Sequence, residues 1–91
     1  MNKPEELSIP EVIFKAEQSA EMMRLWLADG EQVVAISPRL WDDPATWGLM
    51  LVDMARHVAQ AYQSKGLAPE ESLRRIRMAM DAEWANPTGI P

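Results

Sequence analysis

The sequence predicts an α+β fold: an antiparallel β-hairpin, with Glu11–Lys15 read either as a third N-terminal edge strand or as an apolar anchor, packed on two antiparallel helices. Three observations predict it. Asp29-Gly30 lies between two short β-rich runs and suits a type I′ turn, which needs positive φ at both central residues. Asp43-Pro44 opens a long run with apolar residues at three- and four-residue steps, and Gly66 closes it. Pro69 then opens a second run of the same period, ended by Asn86-Pro87.

Taken in order, residues 1–10 are polar and hold Pro4 and Pro10, so they read as a flexible tail. A single small domain is expected over 11–87, followed by a C-terminal tail at 88–91. In the hairpin a two-residue turn at Asp29-Gly30 pairs Leu27 with Gln32, Leu25 with Val34 and Met23 with Ile36. The other side of the ribbon pairs Trp26 with Val33 and Arg24 with Ala35. The first set is apolar enough to face a core. A register slip of one residue would mix the two sets. Pro38 then leads the chain out of the sheet, since it cannot donate to a ladder.

The long helix is expected from about Pro44 to Lys65. Trp47, Met50, Leu51, Met54, Val58, Ala61 and Tyr62 make its expected core stripe, and Leu49 and Val52 point away from it. Gly66 suits the left-handed position just past the helix end. In the second helix Leu73, Ile76, Met80 and Trp84 form the expected inward stripe. Glu70–Arg74 and Glu71–Arg75 stand acid-first at i, i+4, the favourable order.

Composition narrows the function. Ninety-one residues without cysteine leave no disulfide framework and no thiolate metal site. The net charge is −5, and the whole acidic excess sits in residues 1–48. Such a chain repels phosphate backbones, and its one basic cluster, Arg74, Arg75 and Arg77, is diluted by Glu70, Glu71 and Asp81, which excludes nucleic acid as the expected partner. No apolar run approaches the ~20 residues of a membrane span, and Met1–Glu6 does not resemble a signal peptide. A cytoplasmic protein is expected.

The residues from Met22 to Pro87 also bring a resemblance. The hairpin, the stretch Trp41-Asp42-Asp43-Pro44 through Ala55-Arg56-His57-Val58, and the closing Asp81-Ala82-Glu83-Trp84 resemble a family of small bacterial proteins known as domain of unknown function 5076. The resemblance implies a compact one-domain bacterial protein. It brings no activity, ligand or catalytic residue.

Two functional readings follow. His57, the only histidine, lies one helical turn after Asp53, so a carboxylate stands where it would orient an imidazole, and Arg56 is adjacent. A small-ligand binding protein or minor enzyme would use this polar cluster in a pocket between the long helix and the hairpin. No serine, threonine or cysteine stands at a useful spacing, so no catalytic residue is assigned. A helix-surface pair, or a half-buried histidine bonded to Asp53, is the favoured explanation of these two residues. Two ligands are too few for a metal, and no cofactor is implied.

The reading favoured by the sequence is different: a protein–protein interaction module or homodimer rather than an enzyme. Two helices cover only one face of a two-stranded ribbon. Trp26 and Val33 would then stay open on the second face with Arg24 among them, while Leu49 and Val52 stay open on the long helix. An aromatic and an arginine inside an apolar patch are typical of binding hot spots. Cover by Val12-Ile13-Phe14 of the same chain is the competing explanation.

Overall fold

A computed structural model describes residues 2–38 and 40–89 of the chain. Met1 of the expected N-terminal tail, Arg39 in the exit from the hairpin, and residues 90 and 91 of the expected C-terminal tail lie outside the described residues. The architecture is α+β, and the chain divides into two compact units, Met1–Pro38 and Arg39–Pro91.

The first unit holds α1 (Glu11–Lys15), β1 (Met23–Ala28) and β2 (Glu31–Ile36). Strands β1 and β2 pair antiparallel in the expected register, from Met23 opposite Ile36 to Ala28 opposite Glu31. The turn explains why. Asp29 and Gly30 both have positive φ, 51° and 81°, so the loop is two residues long and its twist matches that of the strands. A further bond, from the Ser37 amide to the Met22 carbonyl at 3.0 Å, extends the ribbon by one pair.

Glu11–Lys15 is not an edge strand. It forms one short helical turn after Pro10, held by the Ile13 amide on the Pro10 carbonyl at 3.0 Å and by a Lys15–Glu11 ion pair. Proline at its start presets φ and favours the first turn, and the β-branched pair Val12-Ile13 is too short a run to override that. Val12, Ile13 and Phe14 are all exposed.

The second unit is a helical hairpin: α2 (Ala45–Ala61), a 3₁₀ turn at Tyr62–Lys65, and α3 (Pro69–Ala85). Pro44 already has helical dihedrals, and Asp43 serves as the cap. Its Oδ1 accepts from the Ala45 amide at 3.0 Å, and its carbonyl accepts from the Thr46 amide. Trp41 rests edge-on against Trp47, with ring centroids 5.4 Å apart. At the far end Gly66 sits at φ 87°, and the Leu67 amide reaches back to the Tyr62 carbonyl, which closes the helix end with a Schellman-type bond.

Helices α2 and α3 run antiparallel. Ala59 and Gln60 share one hollow with Pro69 and Glu70, whereas Val52 and Ala55 share the next with Ile76 and Met80. Their contact is built on small residues. Ala59 (2% exposed) and Ser72 are the buried pair among the described residues, flanked by half-buried Ala55, Leu73 and Ile76. This corrects the expected core stripe of α2. Leu51, Met54, Val58 and Tyr62 are 41–48% exposed, because the helix presents α3 with its alanine face, where backbones approach most closely.

The ion pairs on α3 also differ from the simplest i, i+4 reading. Glu71 takes both Arg74 (2.6 Å) and Arg75 (2.9 Å), and Glu70 takes neither. Hydrogen bonds from Arg74 and Arg75 hold the Glu71 carboxyl down at a pKa of about 2. Arg77 pairs with Asp81 at 3.2 Å.

Candidate interaction surface

The hairpin unit carries one candidate surface of its own. Alternation along β1 places Arg24 and Trp26 on one face, and the register adds Val33 and Ala35 from β2. The Arg24 guanidinium lies over the Trp26 ring, 5.5 Å from its centroid. Glu21 bonds the Arg24 Nε at 2.8 Å and Glu6 approaches at 3.5 Å. These carboxylates push the arginine's pKa up, the Glu21 hydrogen bond most of all. Trp26 is therefore half-buried, while Val33 stays exposed. Glu6, through its approach to Arg24, is the N-terminal residue that reaches this face, and with Glu5 and the exposed Leu7 it lines a small hollow beside β1; Val12, Ile13 and Phe14 stay exposed.

The opposite face is more open. On this side of the ribbon Leu25 faces Val34, with Leu27 (opposite Gln32) and Ile36 (opposite Met23) flanking them, and these four apolar residues are 44–73% exposed. The sequence reading assigns these residues to a core. Within their own unit nothing of comparable area covers them.

The helical unit carries a separate candidate surface along α2 and α3. Leu49 is exposed, as expected. Val52 does not lie on an unrelated back face: together with Ala55 and Arg56 it walls a groove whose other side is Leu73, Ile76 and Met80. Trp84 stands at the end of this groove, 88% exposed, and it overturns the expected inward placement at the end of the α3 stripe.

The polar cluster of the alternative reading is split. His57 Nε2 stands 3.2 Å from Asp53 Oδ2, and both side chains are about 70% exposed, at 70% and 69%. Arg56, one residue away and roughly 100° around the helix, turns into the α2–α3 groove instead. An aqueous imidazole–carboxylate pair on a helix surface is a weak interaction and needs no further role. Among the described residues no group of three or more His, Cys, Asp or Glu side chains is placed to hold a metal.

Sequence reasoning misses Trp84 and the exposed hairpin face for one reason. Periodicity marks an apolar stripe but does not say whether a partner covers it. The signal for the groove is the small-residue spacing Ala55, Ala59, Ser72, which allows two helices to approach closely and leaves larger neighbours standing proud.

These features define a small α+β protein with open apolar faces on each of its two units. The chain belongs to the family described as Domain of unknown function (DUF5076), which matches residues 6–88. It is also similar to a solved structure described as a "putative pyruvate dehydrogenase" from the photosynthetic bacterium Rhodopseudomonas palustrus CGA009. The two are 34% identical, with 97% of this chain and 91% of that chain covered and a TM-score of 0.72. Comparison with curated proteins finds no match. Among the described residues no helix is long and apolar enough to cross a membrane.

Proposed function

We propose that this chain is a protein–protein interaction module that self-associates, with the hairpin as part of its contact surface. The observation that supports this reading best is the row Leu25, Leu27, Val34 and Ile36, a core-like cross-strand set left open in its own unit. Fully burying one such side chain is worth about 1.5–3 kcal/mol, so covering the half that each exposes amounts to several kcal/mol for the set. A two-stranded ribbon is also marginal alone and has two open edges, which gives a second reason for a partner. The second face contributes Val33 and the Arg24–Trp26 stack, an arginine and an indole of the kind that anchor interfaces. In the helical unit Leu49 and Val52 are exposed as well, a separate apolar contribution from α2.

The solved relative's name is not carried over as an activity, since it points to no residue here that would take a substrate or cofactor. The test is the solution mass by size exclusion with light scattering, on wild type, Leu25→Asp and Val33→Asp. The expected wild-type mass exceeds that of one 10.3 kDa chain, and the variant that weakens association marks the covered hairpin face. A wild type that stays a monomer from about 1 μM to 1 mM would refute self-association.

A further inference from the structure

We infer that two copies of this chain join their β2 strands edge to edge, antiparallel about a two-fold axis at Val34, so that two hairpins make one sheet. The inference rests on the self-association proposed above and names its contact. Every residue of β2 is exposed. The hairpin ladder fixes which of its backbone groups face outwards. The Ser37 amide bonds the Met22 carbonyl, and hydrogen-bonded pairs recur at every second position from there, at Arg24–Ala35, Trp26–Val33 and Ala28–Glu31. The N–H and C=O of Gln32, Val34 and Ile36 therefore point away from β1. Among the described residues no backbone bond from another segment reaches them.

The two edges of the ribbon are not alike. A hollow lined by β1 from Met23 to Trp26, by Glu5, Glu6 and Leu7, and by no residue of β2 puts the N-terminal segment beside β1. Glu6 and Glu21 both stand against Arg24 there. Two β1 edges brought together would set Glu5, Glu6 and Glu21 of one copy against those of the other, with a single arginine on each side to offset them. Strand β2 lacks every feature that blunts an edge. Its pairing with β1 is continuous from Glu31 to Ile36, without a bulge, and Gln32–Ile36 holds no charge, proline or glycine. Gln32 to Pro38 is the longest uncharged run of the hairpin unit. In a chain of net charge −5 it lets two copies meet without opposing like charges.

The register follows from the same groups. In an antiparallel pair about a two-fold axis normal to the sheet, equal steps on either side of the axis fall opposite each other. With the axis at Val34, Val34 faces Val34 of the second copy and Gln32 faces its Ile36. Gln32, Val34 and Ile36 each give one N–H and one C=O, which closes about six hydrogen bonds across the junction. Glu31 falls opposite Ser37, so the end charges do not meet. Moving the axis to Val33 sets Ile36 opposite the turn residue Gly30. Moving it to Ala35 sets Gln32 opposite Pro38, which has no N–H to give.

Pairing of this kind closes on itself. A two-fold contact uses the same edge twice, so the assembly stops at two copies, and its outer edges are the β1 edges fringed by Glu5 and Glu6. It also turns a two-stranded ribbon, marginal by itself, into a sheet with twice as many strands and one apolar face. Leu25, Leu27, Val34 and Ile36 of both copies line that face side by side, and Val33 lies beside Ala35 of the second copy on the other. The edge needs a strand whose own outward groups match it, and β2 is such a strand.

The experiment is amide hydrogen exchange by NMR on the full chain, across a dilution series whose mass is followed by light scattering. In a lone hairpin the amides of Gln32, Val34 and Ile36 are like those of Met23, Leu25 and Leu27, since both sets point outwards. In the dimer the β2 set should exchange at least about 10-fold more slowly than the β1 set, and dilution to the monomer should abolish the difference. A mixture of labelled and unlabelled chains should show Val33 in contact with Ala35 of the other copy, the closely spaced pair of this register. Val34→Pro removes an outward N–H and leaves the hairpin's own ladder intact, so it should raise the dissociation constant at least about 10-fold. A wild-type dimer in which both amide sets exchange equally fast would overturn the edge pairing and leave self-association standing, as would a folded Val34→Pro dimer of wild-type affinity. A wild-type monomer would overturn both.

Discussion

Ser72 offers the sharpest test of how α2 and α3 meet. It is 5% exposed, it lies at the crossing with Ala59, and its Oγ has no hydrogen-bond partner among the described residues. Its amide is satisfied by the Ala68 carbonyl at 3.0 Å, so the hydroxyl alone is stranded. A buried, unsatisfied hydroxyl costs about 1–3 kcal/mol, and alanine is the better helix former by roughly 0.5 kcal/mol. The substitution removes one small oxygen, so the packing loss is minor. Ser72→Ala should therefore stabilise the domain by about 1 kcal/mol, which for a chain of this length raises Tm by about 4–8 °C. The assay is thermal unfolding followed by circular dichroism, with wild type and variant at one fixed concentration, since any association of chains would make Tm depend on concentration. A Tm that falls would refute the reasoning, because it would mean that the hydroxyl makes a bond worth more than its burial costs.

Three further expectations follow from local geometry. Gly66→Val should cost about 1–2 kcal/mol in a denaturant titration; nothing stands within 4 Å of a Cβ there, so the loss comes from the positive φ of 87° alone. Asp43→Ala should cost about 1 kcal/mol by removing the acceptor for the Ala45 amide, and Asp43→Asn should recover most of it. Glu71 contributes by keeping its charge: with its carboxyl lowered from 4.5 to about 2, the contribution is complete above pH 4.5 and is lost as pH falls from there through 2. Glu71→Gln should remove that share of the acid-side loss of helicity, and pH curves of the same shape for both proteins would refute it.

Local order was legible because its causes are local. Asp29-Gly30 demanded a two-residue turn, and that one choice set every cross-strand pair from Met23–Ile36 to Ala28–Glu31. Asp43, Gly66 and Pro69 marked helix ends by satisfying or removing particular backbone groups. Arg77 found Asp81 because i, i+4 neighbours share a helix face. Glu11–Lys15 was ambiguous at this level: Val12-Ile13 favours a strand, Pro10 a helical start, and five residues are too few for periodicity to arbitrate.

The candidate surface was less legible. Arg24, Trp26 and Val33 were placed on one face by alternation, but the approach of Glu6 to Arg24 spans eighteen residues and leaves no periodic trace. Asp53, Arg56 and His57 are neighbours in sequence, yet the 100° step between Arg56 and His57 sends one into a groove and the other into water.

What the sequence determined by itself is the α+β class, the hairpin register and the ends of both long helices, since turn dihedrals and capping hydrogen bonds involve residues only a few positions apart. Tertiary structure alone decided which stripe of α2 meets α3. Large apolar residues at 51, 54, 58 and 62 and small ones at 55 and 59 both keep a helical period. Only the packing of two backbones chose the small ones, leaving the larger side chains and Trp84 exposed.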